Sequence, residues 1–599
     1  MQTRLRYWEY YGMTEVFDEL YESSKNGKNL NRLYDIITSK ENILLAFRTI
    51  KSNKGSKTKG VDGRTIEDYK NMSDDELFSF INKRLSNYQP MKVRRVFIPK
   101  PNGDQRPLGI PSMSDRIIQQ AFKQVLEPIC EAKFYNHSYG FRPFRSTHHA
   151  LARVNHLINA NKLHYAVDID IKGFFDNVNH TLLIKQLWNI GIKDRKVLRL
   201  ISKMLKAEIE GEGNPTKGTP QGGILSPLLS NVVLNDLDQW IAGQWETFTT
   251  EHTYSTNEKK YRAIKKSNLK EGYIVRYADD FKIICRDWKT ANKWFHAVKL
   301  YLKTRLKLDI SPDKSKVINL RKNKSSFLGF EIKAGIKGKK RVAYSHISKK
   351  KIQQHKEEGR QRIRQIHSSP TAQNALLYNS WVLGIHNYSQ HATHVNVDFG
   401  NIAYHLSKTL YNRLNKVSKY ELPTSAPPSY YKFYKSTYRT YKIEDVYLYP
   451  LADIRHRSSM NFSQWISPYT ERGRKHIAKE LKGDVLAEIR KLIKTNTHNR
   501  SVEYYDNRIS RYSMTNGKCE ITGEFLTVDI LHCHHFIPVS LGGTDKFDNL
   551  RIVHKFVHVL IHATKEQTIS KYLKLLAPNS NAIAKINKYR KECNLESIS

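Results

Sequence analysis

The sequence predicts a multidomain α/β protein. Its 599 residues are too many for one ordinary domain. Strand-like and helix-like segments alternate from about 93 to 330, and a histidine-rich run at 532–562 sets the far end of the chain apart. Apolar residues make up 39% of the chain, enough for packed cores and too many for a disordered one.

In chain order, residues 1 to about 90 read as helices and loops, with a Lys/Gly-rich loop, "SNKGSKTKGVDG", at 52–63. "RRVFIPK" and "HYAVDIDI" read as strands from their β-branched and aromatic content. "SPLLSNVVLNDLDQWI" reads as a helix with Ser226 as N-cap and Pro227 at the first position. Leu229, Val233, Leu237 and Trp240 share one of its faces. The polar, basic segment 242–271 reads as an insertion. "YIVRYADDFKIIC", Tyr273 to Cys285, reads as a hairpin with an acidic tip. Basic segments follow at 333–341 and at 348–365, the second a charged helix. "LPTSAPPS", at 422–429, predicts a linker.

Lys and Arg total 100 against 57 acids, a net charge of +43 that points to a polyanionic partner, nucleic acid first. A membrane surface is the weaker candidate, because no segment approaches 18 consecutive apolar residues. The start, "MQTRLRYWEYYGM", has no signal-peptide core. A cytoplasmic location without a membrane partner is therefore expected. Five scattered cysteines fit a reducing compartment.

Two constellations carry chemistry. In "VDIDIKGFFDNVNH", alternation along a strand points Asp168 and Asp170 the same way. With Asp279 and Asp280 of the hairpin tip they could gather three or more carboxylates. Such a cluster needs divalent ions, and carboxylates with open water positions suit Mg²⁺. The tip alone reads equally as a solvated acidic turn. The glycines and Gln221 of "GTPQGGILSPLLSN" allow close backbone approach to a base and sugar. Lys100 and Arg106 flank a turn in "IPKPNGDQRPLGIP", placed for phosphates. In the second constellation, His558 and His562 share a helix face. His534, His535 and Asn549 lie upstream. Three neutral imidazoles can hold a divalent ion while a fourth acts as general base.

The order "RPLGIP", "SYGFRPFRSTHHA", "DIDIKGFFDNVNH", "GTPQGGILSPLLSN", "YADDF", "LKLDISPDKSKVINL" and "FLGF" resembles the successive polymerase blocks of bacterial group II intron reverse transcriptases. The resemblance implies a right-hand polymerase with fingers and a ferredoxin-like palm at 93–335, preceded by an N-terminal extension and the start of the fingers at 1–92. A helical thumb, or maturase domain X, follows at 336–425, and a DNA-binding region at 426–510. It implies that Asp170, Asp279 and Asp280 bind two Mg²⁺ ions, with Asp168 and Asp176 structural. Phe175 would exclude a 2′-hydroxyl, Gln221 would pack near the incoming nucleotide, and Lys100 and Arg106 would grip its triphosphate. Lys314 would stand near the leaving pyrophosphate as a general acid, and Ser315 replaces the family's usual Thr. Residues 511–599 resemble an HNH nuclease of the ββα-metal fold. By motif position His534, His558 and His562 would bind one divalent ion, Mg²⁺ or Mn²⁺, His535 would activate water, and Asn549 would orient the site through backbone bonds.

HNH domains of this kind often carry two CxxC pairs holding zinc. Here the first is "CEIT", and His554 and Val557 occupy the second. Tetrahedral zinc needs four ligands, so no structural zinc is expected. The implied partners are group II intron RNA, target DNA and dNTPs. Two alternatives compete: a reverse transcriptase of a defence or diversity-generating system, and a splicing maturase with an inactive nuclease domain.

Overall fold

A computed structural model describes residues 2–598 apart from 100–102, 104, 427, 436, 478–484, 486–487, 490, 493–494 and 496–500. Lys100 therefore lies outside the described residues. Residues 2–86 form helices joined by loops, among them Lys40–Lys51 and Asp74–Ser86. The second of these opens on a capping box between Ser73 and Glu76. Strands β1 (Arg94–Pro99) and β2 (Gln105–Ile110) form an antiparallel hairpin.

The central sheet holds β3 (Tyr165–Ile169), β4 (Tyr273–Tyr277), β5 (Asp280–Cys285) and β6 (Lys316–Asn319), in the order β4-β5-β3-β6 and antiparallel throughout. Alternation along each strand splits its side chains between two cores. Val167, Ile169, Ile274, Phe281 and Ile283 join a core shared with the N-terminal helices and the helix Ser226–Gly243. Ala166, Tyr273, Val275 and Ile284 join a second core with the helices Lys349–Ser368, Ala372–Ser389 and Val395–Leu414. Asp168, Asp280 and Lys282 share the parity of Ala166 and Ile284, so they project on the side of these last helices.

Next come β7 (Ser325–Phe327), β8 (Phe330–Lys337) and β9 (Lys340–Ile347) in one antiparallel sheet. The basic stretch at 333–341 thus becomes the tip of the β8–β9 hairpin. The segment 242–271 contains a helix, Asn257–Ile264, whose Tyr261 stacks on Trp245 at 6.2 Å.

Two local expectations change. The helix at 226 starts one residue early, with Leu225 in the N-cap place. Ser226 is its first residue, and its hydroxyl donates to the Pro220 carbonyl at 2.8 Å instead of capping. The expected linker at 422–429 is not a free tether. Pro428 opens a helix, Pro428–Phe433, and Tyr430 and Tyr434 are buried in the second core with Tyr441, Ile443 and Leu451. Proline fits the first turn of a helix, where its missing N–H is not needed, so composition alone misread a helix start as a break. The three-stranded sheet β10 (Lys419–Glu421), β11 (Thr440–Ile443) and β12 (Val446–Tyr447) closes this part.

A third core belongs to the last module. There β13 (Leu531–His535) pairs antiparallel with β14 (Leu550–His554), and the helix Lys555–His562 follows directly. The sequence of elements is ββα.

Candidate active sites: a carboxylate cleft and a histidine centre

The acidic tip is a two-residue turn. Tyr277 pairs with Asp280, leaving Ala278 and Asp279 between them. Ala278 is left-handed, with φ 58°, a conformation that costs a non-glycine residue energy and needs external support. Gly140 lies against it so closely that a Cβ at 140 would stand 2.1 Å from the Ala278 nitrogen. Arg276 does the rest. Its Nη1 donates to the Ala278 carbonyl at 2.8 Å and to Asn231 Oδ1 at 2.9 Å. Its Nε and Nη2 grip Asp238 at 2.6–2.9 Å. Asn231 in turn donates to the Gly140 carbonyl at 2.9 Å. Arg276 is 1% and Asp238 0% exposed. Burial pushes the Asp238 carboxyl up from its ordinary range, and the Arg276 guanidinium opposes this. Removing one partner of such a buried pair strands the other charge. Asp238→Ala is therefore expected to destabilise the domain around the central sheet by about 3–5 kcal/mol, read as a lower denaturant midpoint. A midpoint equal to the parent's would mean that the pair does not hold the turn.

Asp279 lies within electrostatic reach of Asp170, and Asp280 within reach of Asp279 and Asp168. Burial, then the Asp170 charge, raises the Asp279 carboxyl, while Arg106 and Arg276 oppose it. Asp280 keeps a solvent-facing edge. Burial in the cleft nevertheless pushes it up to about 6, with Asp168 and Asp279 adding and Lys282 opposing. Carboxylates that resist ionising beside one another fit a divalent cation, whose charge restores them. Asp168 is otherwise engaged. Lys282, 2% exposed, sits 2.7 Å from one of its oxygens, and the Ser325 hydroxyl donates to the other at 2.8 Å.

The loop at 311–315 borders Asp170. The Ser311 N–H donates to the Asp170 carbonyl at 2.8 Å, and the Asp170 N–H to the Ser315 hydroxyl at 3.1 Å. Lys314 Nζ reaches Asp170 Oδ2 at 3.6 Å, both side chains being open to solvent. Phe175 lies partly buried, edge-on to Phe174 at 5.4 Å, and its carbonyl accepts from the Thr219 N–H at 2.7 Å. Asp176 is exposed. Gly222, at φ +113°, makes its close approach to the chain itself: a Cβ there would lie 2.5 Å from the Gly109 carbonyl oxygen of β2. The Gly109 N–H donates to the Gln221 carbonyl at 2.7 Å. This glycine and the Gln221 carbonyl dock the loop on the β1–β2 hairpin.

In the ββα module, ligand atoms of His534, His558 and His562 all lie within 4.8 Å of one another. Burial, then neighbouring imidazoles, holds His534 and His558 down at about 3. Both are neutral at pH 7, the form that ligates metal. His534 Nε2 is buried without a hydrogen-bond partner. An orphaned imidazole nitrogen aimed into a three-histidine cluster fits a cation. His532 adds a further ring, 3.6 Å from that of His558.

His535 points elsewhere. Its Nε2 pairs with Asp545 Oδ1 at 2.8 Å, and its ring stacks on Tyr504 at 5.6 Å. Asp545 is held by the Ser501 hydroxyl, and its carbonyl accepts from Asn507 at 2.8 Å. Sequence reading missed Asp545. The available signal was an acid just after the Gly-Gly turn, between His535 and Asn549. Asn549 closes that loop, accepting from the Ile537 N–H at 2.8 Å and donating to the Ile537 and Thr544 carbonyls at 3.0 and 2.9 Å. At the former CxxC positions, Cys519 is buried and its sulfur accepts from the Thr522 and His554 N–H groups at 3.4 Å. His554 caps the helix through Phe556, and Val557 is buried in the core.

Among the described residues no helix is long and apolar enough to cross a membrane. Residues 98–332 match the family model "Reverse transcriptase (RNA-dependent DNA polymerase)", and residues 517–563 match "HNH endonuclease". The chain is 34% identical to Protein YkfC of Escherichia coli over 303 residues, 48% of this chain and 79% of that protein. It is 34% identical to the Group II intron-encoded protein LtrA of Lactococcus lactis subsp. cremoris over 345 residues, 50% of this chain and 56% of LtrA. A 91 kDa protein in the cob intron of Schizosaccharomyces pombe is 30% identical over 358 residues, 53% of this chain and 43% of that one. The chain thus spans little more than half of LtrA and less than half of the yeast protein. With a reverse transcriptase domain around the carboxylate cleft and an HNH domain around the histidine centre, the chain belongs to the group II intron-encoded reverse transcriptases that carry an HNH endonuclease domain.

Proposed function

We propose that the chain binds its intron RNA and assists splicing, nicks a strand of target DNA, and extends the new DNA end with RNA as template. The observation that carries this reading is the presence of two separate cation-fitting sites in one strongly basic chain. One is built from carboxylates and the other from imidazoles.

In the palm, Asp170, Asp279 and Asp280 hold the catalytic ions. Two Mg²⁺ ions, if held there, would supply charge stabilisation to a phosphoryl displacement. Arg106, with Lys100, takes the triphosphate, and Gln221 packs beside the nucleotide. Lys314 gives a proton on the pyrophosphate side. Phe175 fills the space that a 2′-hydroxyl would need. Phe175→Val is expected to raise ribonucleotide use roughly ten- to a hundredfold, the range one apolar contact commands. Unchanged dNTP/rNTP discrimination in single-nucleotide extension would leave Phe175 as packing only.

In the nuclease, His534, His558 and His562 would hold one divalent ion, Mg²⁺ or Mn²⁺. His535 takes a proton from the attacking water, and Asp545 fixes the ring that does so, the general base–orienter logic. Residues 93–335 act as fingers and palm, 336–425 as thumb, 426–510 as a DNA-binding surface and 511–599 as nuclease. Purified protein given a DNA primer on an RNA template, dNTPs and Mg²⁺ should yield full-length cDNA. Failure to extend would overturn the polymerase half of the proposal.

A further inference from the structure

The nuclease helix Lys555–His562 has a weakness that the sequence does not announce. It is eight residues long, about two turns, too short to persist on its own. It carries two of the three clustered histidines. It ends at Ala563 in extended conformation, φ −68° and ψ 132°, so no left-handed cap satisfies its last carbonyls.

Those carbonyls are satisfied from the far end of the chain. The helix Ser580–Glu592 brings Arg590, 3% exposed, under them. Arg590 Nη1 donates to the carbonyls of Leu560 at 2.8 Å, Ile561 at 3.3 Å and Ala563 at 2.8 Å. Its Nε donates to the Glu596 carbonyl at 2.6 Å. A guanidinium at a helix C-terminus also opposes the negative end of the helix dipole. The preceding residue reaches the third ligand. The Tyr589 ring lies parallel to His534 at 5.7 Å, tilted by 8°, and meets Phe536 edge-on at 5.0 Å. The tail is locked in turn. Asn587 donates to the Ile598 carbonyl and accepts from its N–H, both at 2.8 Å. Ile586 and Ile598 are buried in the core that holds Val557, Leu560 and Ile561.

We propose that the segment Ser580–Ile598 is the strut that sets the nuclease metal site, with Arg590 and Tyr589 as its positioning residues. Two neighbouring side chains touch both halves of the ligand set: Tyr589 the strand-borne His534, Arg590 the end of the helix bearing His558 and His562. Nearer the start of that helix Val557 is buried in the core and offers no ligand atom, so the ties to the ligand set come from this strut. The inference rests on the metal reading given above.

The test uses the full chain and Co²⁺ as probe, because imidazole-bound Co²⁺ absorbs visibly, with His562→Ala as the blank. Arg590→Ala should weaken Co²⁺ binding roughly ten- to a hundredfold, the usual cost of losing an outer-shell partner, and should alter the band shape. Tyr589→Leu, which keeps apolar volume and the Arg590 ties, should weaken it less. Primer extension should be unchanged in both. Co²⁺ affinity and band shape within twofold of the parent in Arg590→Ala would overturn the proposal. If Arg590→Ala loses the folding transition of the module, Tyr589→Leu decides, and parent-like binding there overturns it. A parent without a Co²⁺ band overturns the metal reading and the strut together; a parent band that the variants keep overturns the strut alone.

Discussion

Asp279→Ala is expected to reduce primer extension to background. The residue sits in the turn between β4 and β5, where burial and the Asp170 charge already raise its carboxyl. It interacts with Asp170 and Asp280, and neither Asp168 nor Asp176 is placed to replace it. Asp168 is taken by Lys282 and Ser325, and Asp176 is exposed and outside the proposed triad. Losing the ligand removes several kcal/mol of charge stabilisation from the displacement, about a thousandfold or more in rate. The fold should survive, because the turn is held by Arg276, Asn231 and Gly140 rather than by the Asp279 side chain. RNA affinity should survive too, since it comes from Lys and Arg spread over the chain. Extension by this variant near the parent rate would contradict the assignment of the palm.

The second large effect belongs to the histidine centre. His535→Ala should slow DNA nicking by roughly 10²–10⁴-fold, the usual contribution of a positioned general base. The substitution leaves His534, His558 and His562 in place, so metal should stay bound. It also leaves the carboxylate cleft untouched, so reverse transcription should be intact. His535 faces Asp545 and Tyr504 rather than the three-histidine cluster, the division expected between a base and a set of ligands. A nicking assay on duplex target DNA with added Mg²⁺ or Mn²⁺ reads the result. Cleavage by the variant at the parent rate would move the base elsewhere, and no cleavage by the parent on a verified target would leave the module as a DNA-binding appendage.

What the sequence disclosed follows from how locally each feature is written. The carboxylates lie in short, contiguous motifs at strand ends, so their type and spacing were readable, and in the fold Asp279 interacts with Asp170 and with Asp280. His558 and His562 were readable for the same reason, being one helical turn apart. The supports were not readable. Arg276 meets Asp238 and Asn231 across 38 and 45 residues of chain, and nothing near any of them announces the pairing. Lys282 hid in an apolar strand; only the cross-strand register that sets it opposite Asp168 explains a buried lysine there. Arg590 lies 27 residues or more from the carbonyls it ties. Pro428 and Ser226 show the opposite failure, in which a local rule was applied where tertiary contacts decide. A proline taken for a break starts a helix, and a serine taken for a cap bonds to Pro220 instead.

On the proposed reading, one chain holds two independent catalytic sites that act in sequence on one DNA strand. The most direct measurement incubates duplex target DNA with intron RNA–protein complex, dNTPs and divalent metal, and follows the labelled strand on a denaturing gel. The parent should give a nick and then a longer product extended from it. Asp279→Ala should give the nick without extension. His535→Ala should give neither on intact duplex, yet extend a DNA supplied already nicked. Loss of both steps in Asp279→Ala, or failure of His535→Ala to extend the pre-nicked DNA, would contradict two separable sites.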